Sequence, residues 1–312
     1  MNLATTQREI PVKTDINQAG NKSDSSFIYF RFFVFTCLFL SVPLVSDSQP
    51  QETDTQNWQR DQIATLVEKS INLGVPLYNS DSYSACEAVY NITLQAIAAF
   101  TERIVSRNLI TETITEAKLL DPKDGAWLLR NLLDEIYFAV KEGKRVGNNK
   151  MVFDFSDRSP FEWFLVNDNV MGGISKGQVG QLEGEIMRFS GRLSLKNNGG
   201  FSSVRSQMPD FFLAGYEGLM LKTRGDGRSY SVLVTSREGR GTWQTKFKTS
   251  EKWQTIKVPF KKMQMSIRGW RPNVSPEIIG NKVRTIGFII ADKNEDPFRL
   301  EVDWIKAYVD ED

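Results

Sequence analysis

The sequence predicts a small N-terminal helical bundle followed by an all-β sandwich of the jelly-roll type. Apolar residues recur at helical spacing between residues 56 and 146, whereas beyond residue 151 they alternate with polar residues. In addition, 17 of the 22 glycines lie at or beyond Gly172, as expected for short strands joined by many turns. A chain of 312 residues has room for two such domains, at roughly 150 residues each.

The first element in the chain is an apolar segment, residues 27–45, which basic residues precede. Its most apolar part, residues 32–45, is shorter than the ~20 residues that a spanning helix needs. We therefore interpret residues 1–46 as a signal peptide or membrane anchor with a polar lead. This predicts an extracytoplasmic or membrane-anchored protein, associated with the membrane through residues 27–45. An organelle presequence, and hence a mitochondrial location, is the alternative.

A polar stretch at residues 47–55 contains a proline and predicts a linker. The helical module, residues 56–146, follows it as an antiparallel bundle. Its first helix should stop at the Gly-Val-Pro of residues 74–76, and its second should run from about residue 83 to 107. The third should start near Asp121, which precedes a proline suited to the first turn of a helix.

The sandwich, residues 151–309, is predicted from four runs in which apolar residues occupy every second position. These runs are Tyr230/Val232/Val234, Ile256/Val258/Phe260, Ile286/Phe288/Ile290 and Phe298/Leu300/Val302. Gly225-Asp226-Gly227 separates two strands, which makes Asp226 a hairpin residue. Since the last run turns its apolar residues inward, Glu301 and Asp303 are expected to face solvent.

The residue types available for chemistry are restricted, because the chain has no histidine and only two cysteines, Cys37 and Cys86. This excludes a Ser-His-Asp triad, a Cys-His dyad, a His-ligated metal and a cysteine-only zinc site. We therefore expect no catalytic residues, no metal and no cofactor. Cys86 falls on the apolar stripe of the second helix and should be a buried, inert thiol. With 39 basic and 38 acidic residues, nothing in the charge favours a nucleic-acid partner.

The candidate binding residues lie in two glycine-rich clusters and the hairpin. They are Asn167, Asp168, Met171, Gly172, Gly173, Ser175, Gly200, Ser202, Arg205 and Asp226. Two interpretations of the first cluster remain open. Its backbone could approach a ligand or form an anion nest. Alternatively, it is a tight turn with positive φ angles that Asp168 or Asn169 closes through bonds to the backbone.

Arg205 and the tryptophans each have two interpretations. Arg205 is either an outward-facing arginine of a sheet, or a buried arginine that pairs with a carboxylate such as Asp168 or binds an acidic partner group. Trp243, Trp253, Trp270 and Trp304 could stack on sugars, which would suit an exported glycan-binding protein, or could be core aromatics.

Several blocks between residues 153 and 309 resemble the complex I intermediate-associated protein 30 family. They occur in the expected order and comprise Asp-Asn-Val-Met-Gly-Gly-Ile-Ser at 168–175, Asn-Asn-Gly-Gly-Phe-Ser-Ser-Val-Arg at 197–205, Arg-Gly-Asp-Gly-Arg-Ser-Tyr at 224–230, Trp-Gln-Thr-Ile-Lys-Val-Pro-Phe at 253–260, Arg-Gly at 268–269, Ile-Gly-Phe at 286–288 and Asp-Trp-Ile-Lys-Ala at 303–307. The resemblance covers the β module and leaves out the helical one.

This resemblance implies a galactose-binding-like jelly roll and a non-enzymatic, chaperone-like protein. Such a protein would bind assembly intermediates of the NADH dehydrogenase complex, respiratory complex I, in mitochondria. No catalytic residue is carried over from the family. We expect the binding site at its most recognisable blocks, residues 168–175 and 200–205. A carbohydrate partner is the alternative to a protein partner.

Overall fold

The computed structural model describes residues 51–100, 103–156, 162–182, 185–239, 241–267 and 270–310. The apolar segment interpreted as a signal peptide or anchor lies outside these residues. Among the helices in the described part of the chain, none is long and apolar enough to cross a membrane.

In the part of the N-terminal module that the structure describes there are four helices: α1 (Gln51–Asn79), α2 (Tyr83–Phe100), α3 (Arg107–Ala117) and α4 (Pro122–Lys141). Helix α4 is the centre of the module, because it packs against the other three. Its start agrees with the sequence: the Asp121 side chain accepts the backbone N–H groups of Lys123 and Asp124, and Pro122 occupies the first turn.

The predicted linker and the predicted end of the first helix are both wrong. Residues 51–55 belong to α1, since this polar stretch has no helix breaker after Pro50. At the other end α1 continues through Pro76 to Asn79. A proline inside a helix removes one backbone hydrogen bond. Here the apolar burial of Val75 and Tyr78 in the core offsets that loss.

The predicted second helix is in fact two helices. Helix α2 ends at Phe100, and Val105 then forms a parallel bridge with Val146. Ser106 begins α3, because its Oγ accepts the backbone N–H of Leu109. The helical spacing of apolar residues continues through buried Ile104, which conceals this break in the sequence.

Twelve strands of the β module lie within the described residues. They are β1 (Asn149–Phe153), β2 (Trp163–Asn167), β3 (Lys176–Leu182), β4 (Ile186–Arg192), β5 (Ser202–Gln207), β6 (Gly218–Gly225), β7 (Ser229–Ser236), β8 (Thr242–Lys248), β9 (Gln254–Pro259), β10 (Gln264–Ser266), β11 (Val283–Ile290) and β12 (Pro297–Tyr308). All four alternating runs of the sequence fall in or at the end of these strands.

The strands pair into two antiparallel sheets that make a sandwich. The first sheet has the order β3-β4-β12-β6-β9, and β1 pairs with the second half of β12. The second sheet has the order β10-β8-β7-β11-β5-β2. Four helices followed by this sandwich confirm the predicted fold class.

The helical module and the sandwich share one continuous cluster of buried apolar side chains. At their junction the Glu116 carboxylate of α3 accepts the backbone N–H of Asn281, which precedes β11 (3.1 Å). Burial raises the pKa of Glu116 to about 8, although backbone N–H groups of Gly215, Asn281 and Gly280 oppose that rise. A single carboxylate therefore joins α3 to two loops of the sandwich.

Glu301 contradicts the expectation that it faces solvent. It lies on the outward side of the first sheet, yet it is buried between two arginines. Its Oε1 accepts Arg188 Nη2 and its Oε2 accepts Arg224 Nε, both at 2.6 Å. The ring of Trp253 covers the Arg224 guanidinium from the other side (4.6 Å). Strand parity assigned the correct face but did not show that arginines cover it.

Candidate functional site

One end of the sandwich gathers most of the candidate residues. Strands β2, β4, β6 and β11 end there, and β3, β5, β7 and β12 begin there. The connections at this end are residues 168–175, 193–201, 226–228 and 291–296, which together we call the loop end. Every candidate residue except Arg205 lies in these connections or at the strand position next to them.

Asp168 is the centre of the loop end. Its side chain is fully buried. Oδ1 accepts the backbone N–H of Ser175 (2.9 Å), and Oδ2 accepts the backbone N–H of Gly200 (2.7 Å) and the Ser175 hydroxyl. Burial alone would raise the pKa of Asp168, but these hydrogen bonds and one from Phe201 outweigh it, and the pKa is lowered. Both carboxylate oxygens are therefore used to hold backbone.

Two glycines pack directly on this carboxylate. A Cβ on Gly173 would lie 2.3 Å from Asp168 Cγ, and one on Gly199 would lie 2.6 Å from Asp168 Oδ2. Gly172 adopts a φ of +89°, a left-handed conformation that favours glycine. These contacts agree with the interpretation in which Asp168 closes a tight turn.

Asn167 and Ser202 extend the same network to the strand ends. The Ser202 hydroxyl donates to Asn167 Oδ1 (2.6 Å), which ties the end of β2 to the start of β5. A Cβ on Gly177, at the start of β3, would lie 2.1 Å from Ser202 Oγ. The three strand ends are consequently in close contact.

Four apolar side chains project from this rigid framework into solvent. Val170 is 71% exposed, Met171 64% and Ile174 50%, and Leu195 is also largely exposed. Leu195 belongs to the same framework, because its neighbour Ser194 donates its backbone N–H to Ser175 Oγ (2.9 Å). We call these four side chains the apolar tip. Of these four residues, only Met171 was predicted from the sequence as a binding residue. A short run of large apolar residues inside a glycine-rich turn is the signal that points to Val170 and Ile174.

Arg205 does not pair with Asp168. It lies in β5 on the side of the second sheet that faces away from the core, because its neighbours Val204 and Ser206 point inward and are buried. Its Nε is buried and has no hydrogen-bond partner in the described part of the chain. Burial lowers the pKa of this guanidinium. Arg205 is thus a partly desolvated cation on the outward side of the second sheet.

The register partners of Arg205 on the two neighbouring strands are an exposed aromatic residue and a glycine that approaches it closely. Phe164 is its register partner on β2 and is substantially exposed. Gly287 is its register partner on β11, where a Cβ would lie 2.9 Å from the Arg205 Cα. Phe164 and Arg205 therefore place an aromatic ring and a cation next to each other on the outward face of the second sheet.

Asp226 lies at the loop end but takes no part in the Asp168 network. It accepts the backbone N–H groups of Arg228 (3.0 Å) and Arg299 (2.7 Å) and the Tyr230 hydroxyl. These bonds agree with the expected hairpin role.

The tryptophans do not form a sugar-stacking platform in the described structure. Trp243 is buried and donates its ring N–H to the carbonyl of Pro276, and Trp253 lies against Arg224. Trp304 is half-buried with Lys306 over its ring. Only Trp270, of these four, is largely exposed. Within the described residues, no cluster of three or more carboxylates or thiols could hold a metal ion.

The two sheets define an antiparallel β-sandwich. Among solved structures, the chain is similar to the family 11 carbohydrate-binding module of the cellulase Lic26A-Cel5E from Clostridium thermocellum. The sequence identity is 16% and the TM-score 0.40, over 51% of this chain and 94% of the module. A family 29 carbohydrate-binding module in complex with mannohexaose is similar at 12% identity and a TM-score of 0.35, over 51% of this chain and 89% of that one.

The model of the family "Complex I intermediate-associated protein 30" matches residues 153–302. The mouse protein "Complex I intermediate-associated protein 30, mitochondrial" is 24% identical over 185 residues, which is 52% of this chain and 56% of the mouse protein. The Caenorhabditis elegans protein "Probable complex I intermediate-associated protein 30, mitochondrial" is 32% identical over 99 residues, 30% of this chain and 29% of its own length. The chain thus spans about half or less of these relatives. The matched region is most of the sandwich, which is where the sequence blocks resemble this family.

Proposed function

We propose that this chain is a non-enzymatic, chaperone-like factor that binds protein intermediates during assembly of the mitochondrial NADH dehydrogenase complex. The observation that carries the proposal is the apolar tip, which large exposed side chains form on a loop held by a buried carboxylate. The relatives named for complex I intermediates support this class of partner. The same names favour the mitochondrial location over export.

The apolar tip has the properties of a protein-binding surface. Burial of a whole Val, Ile or Met side chain contributes roughly 1.5–3 kcal/mol. Leaving several of them in water is therefore costly unless a partner covers them. Met171 adds a flexible side chain that adapts to partners of different shape. Because the Asp168 network already fixes the backbone, a partner loses little of this energy to ordering the loop.

Arg205 would make such an interface more specific. A guanidinium that is already partly desolvated gains a strong, geometrically specific contact from a carboxylate. Apolar surface alone gives adhesion with little discrimination, whereas a cation at a fixed place on β5, which begins at the loop end, favours partners that carry an acidic residue there.

A site-specific photo-crosslinker tests this proposal. Placed at Met171, it should capture subunits or intermediates of the NADH dehydrogenase complex in mitochondria. The matched control is Val274, which is 83% exposed but lies in the connection between β10 and β11. Equal capture from both positions, or none from Met171, would reject the site. Specific binding on a glycan array that Met171→Glu abolishes would reject the class of partner.

A further inference from the structure

The strands of the second sheet carry positive charge with no carboxylate among them. No Asp or Glu occurs in β2, β5, β7, β8, β10 or β11. Their basic residues are Arg205, Lys246, Lys248 and Arg284. The first sheet differs, because Glu301 and Asp303 of β12 pair with basic residues of the neighbouring strands. The positive charge of the second sheet is therefore left to be balanced from outside its strands.

Arg205 lies among apolar groups on the outward side of this sheet. The register across β11 places Leu233 of β7 in line with Arg205, on the side that faces away from the core. Leu233 is nonetheless buried, and the exposed ring of Phe164 flanks Arg205 on β2. A cation that is partly desolvated in this way costs free energy unless a counter-charge approaches it.

We propose that an acidic segment of a protein partner lies across the outward side of the second sheet and places a carboxylate on Arg205. This partner is the one of the proposed function, on which the proposal rests, and the sheet gives it a second contact beyond the apolar tip. A guanidinium binds a carboxylate through two parallel hydrogen bonds, and apolar surroundings strengthen the ion pair. An apolar residue next to that carboxylate would cover Phe164.

Lys246 provides a second cation for the same segment. It is exposed on β8, and it lies on the same side of the sheet as Arg205, two residues beyond the position in line with Leu233. Three strand spacings of about 4.8 Å and this offset separate the Cα atoms of Arg205 and Lys246 by about 16 Å. An extended chain covers that distance in about five residues. The fitting segment therefore carries two acidic residues at about this spacing.

The hydroxyl groups near Arg205 favour such a segment over a saccharide. The Ser203 hydroxyl donates to the carbonyl of Val166 (2.9 Å), and the Thr235 and Thr285 hydroxyls are bonded to each other (2.6 Å). These groups have fewer hydrogen bonds left to offer to the many hydroxyl groups of a sugar. The charge of Arg205, in contrast, has no counterpart in the described part of the chain.

Fluorescence anisotropy on the full chain tests the proposal with a labelled ten-residue peptide of alternating glutamate and valine. A peptide with glutamine in place of glutamate is the uncharged control. Arg205→Met should weaken binding of the acidic peptide about tenfold, and Lys246→Met about threefold. Lys306→Met is the matched control, because it removes the same charge from the outward side of the first sheet and should leave the affinity unchanged.

The stability of the protein without peptide separates a binding role of Arg205 from a structural one. A methionine keeps most of the length of the side chain and removes a charge that has no partner in the residues described. Arg205→Met should therefore keep or raise the urea concentration at the midpoint of unfolding. A structural arginine would lower that midpoint when it is replaced.

Three results would overturn the proposal. The first is equal affinity of the wild-type protein for the glutamate and glutamine peptides, or of the wild type and Arg205→Met for the glutamate peptide. The second is a lower urea midpoint for Arg205→Met, which would show that Arg205 pairs within the chain. The third is tighter, Arg205-dependent binding of a heparin fragment or a single-stranded oligonucleotide, which would assign the sheet to another class of partner. None of them bears on the apolar tip, which the crosslinker at Met171 tests separately.

Discussion

Replacing Asp168 should loosen the loop end, and its hydrogen bonds set the magnitude. Asp168→Ala leaves the backbone N–H groups of Ser175 and Gly200 without their acceptor. A buried donor that loses its partner costs about 1–3 kcal/mol, so the loss of two should lower the unfolding free energy by about 2–6 kcal/mol. Domains are typically stable by roughly 5–15 kcal/mol, so a loss of this size is readily measured.

Asp168→Asn distinguishes the roles of the two carboxylate oxygens, because it keeps one acceptor and replaces the other. Its amide can keep an oxygen toward Ser175 but then turns an NH₂ group toward the N–H of Gly200. Two donors then face each other, and we expect a smaller loss of about 1–3 kcal/mol. The control is Asn169→Ala, an exposed neighbour, which should stay within about 0.5 kcal/mol of the wild-type protein.

Urea unfolding at neutral pH measures these differences, and a pH series checks their origin. The pKa of Asp168 is lower in the folded protein than in the unfolded chain. Its contribution is therefore fully present above the unfolded pKa of about 4 and is lost as the pH falls through the folded value. Asp168→Asn should remove that part of the acid dependence. An Asp168→Ala variant within about 0.5 kcal/mol of wild type would refute the central role of this carboxylate.

Three further predictions concern other parts of the molecule. Burial raises the pKa of Glu116 to about 8, so the wild-type protein should lose stability as the pH rises from about 4.5 through 8. In thermal unfolding between about pH 5 and 9, Glu116→Gln should lack this dependence of stability on pH. The same pH dependence in both proteins would contradict a raised pKa at Glu116. Glu301→Ala removes the acceptor of Arg188 and Arg224 and should cost about 1–3 kcal/mol in urea unfolding, whereas no loss would mean that the arginines re-pair elsewhere. Cys86 is a free, buried thiol whose pKa burial raises, so mass spectrometry should find its peptide unlabelled by maleimide until urea unfolds the chain; rapid labelling of the native protein would contradict this.

The sequence was sufficient to predict elements whose signals are local. The start of α4 depends on an Asp-Pro pair at residues 121–122, and the hairpin at residues 225–227 depends on two glycines around Asp226. Alternation of apolar residues located the strands because each has one face against the core. The break between α2 and α3 could not be predicted from the sequence, because Ile104 maintains the apolar spacing although it lies outside a helix.

The contacts of the site required the register between strands, which a single sequence does not contain. Asp168 and Arg205 were plausible partners by charge, but Asp168 is saturated by backbone N–H groups and Arg205 stands on the outward side of β5. Glu301 shows the same limitation, since parity predicts the face of a residue and not what packs over it. The exposure of Val170 likewise depends on the turn that Asp168 holds.

The central claim is that the apolar tip assists assembly of the NADH dehydrogenase complex. Cells that lack this protein, complemented with the wild type or with a Val170→Glu/Met171→Glu variant, test it most directly. Both side chains are exposed, so the variant should accumulate to the wild-type level. On native gels we predict the full-size complex with the wild type and smaller intermediates with the variant. Full assembly with the variant, or in cells lacking the protein, would contradict the claim.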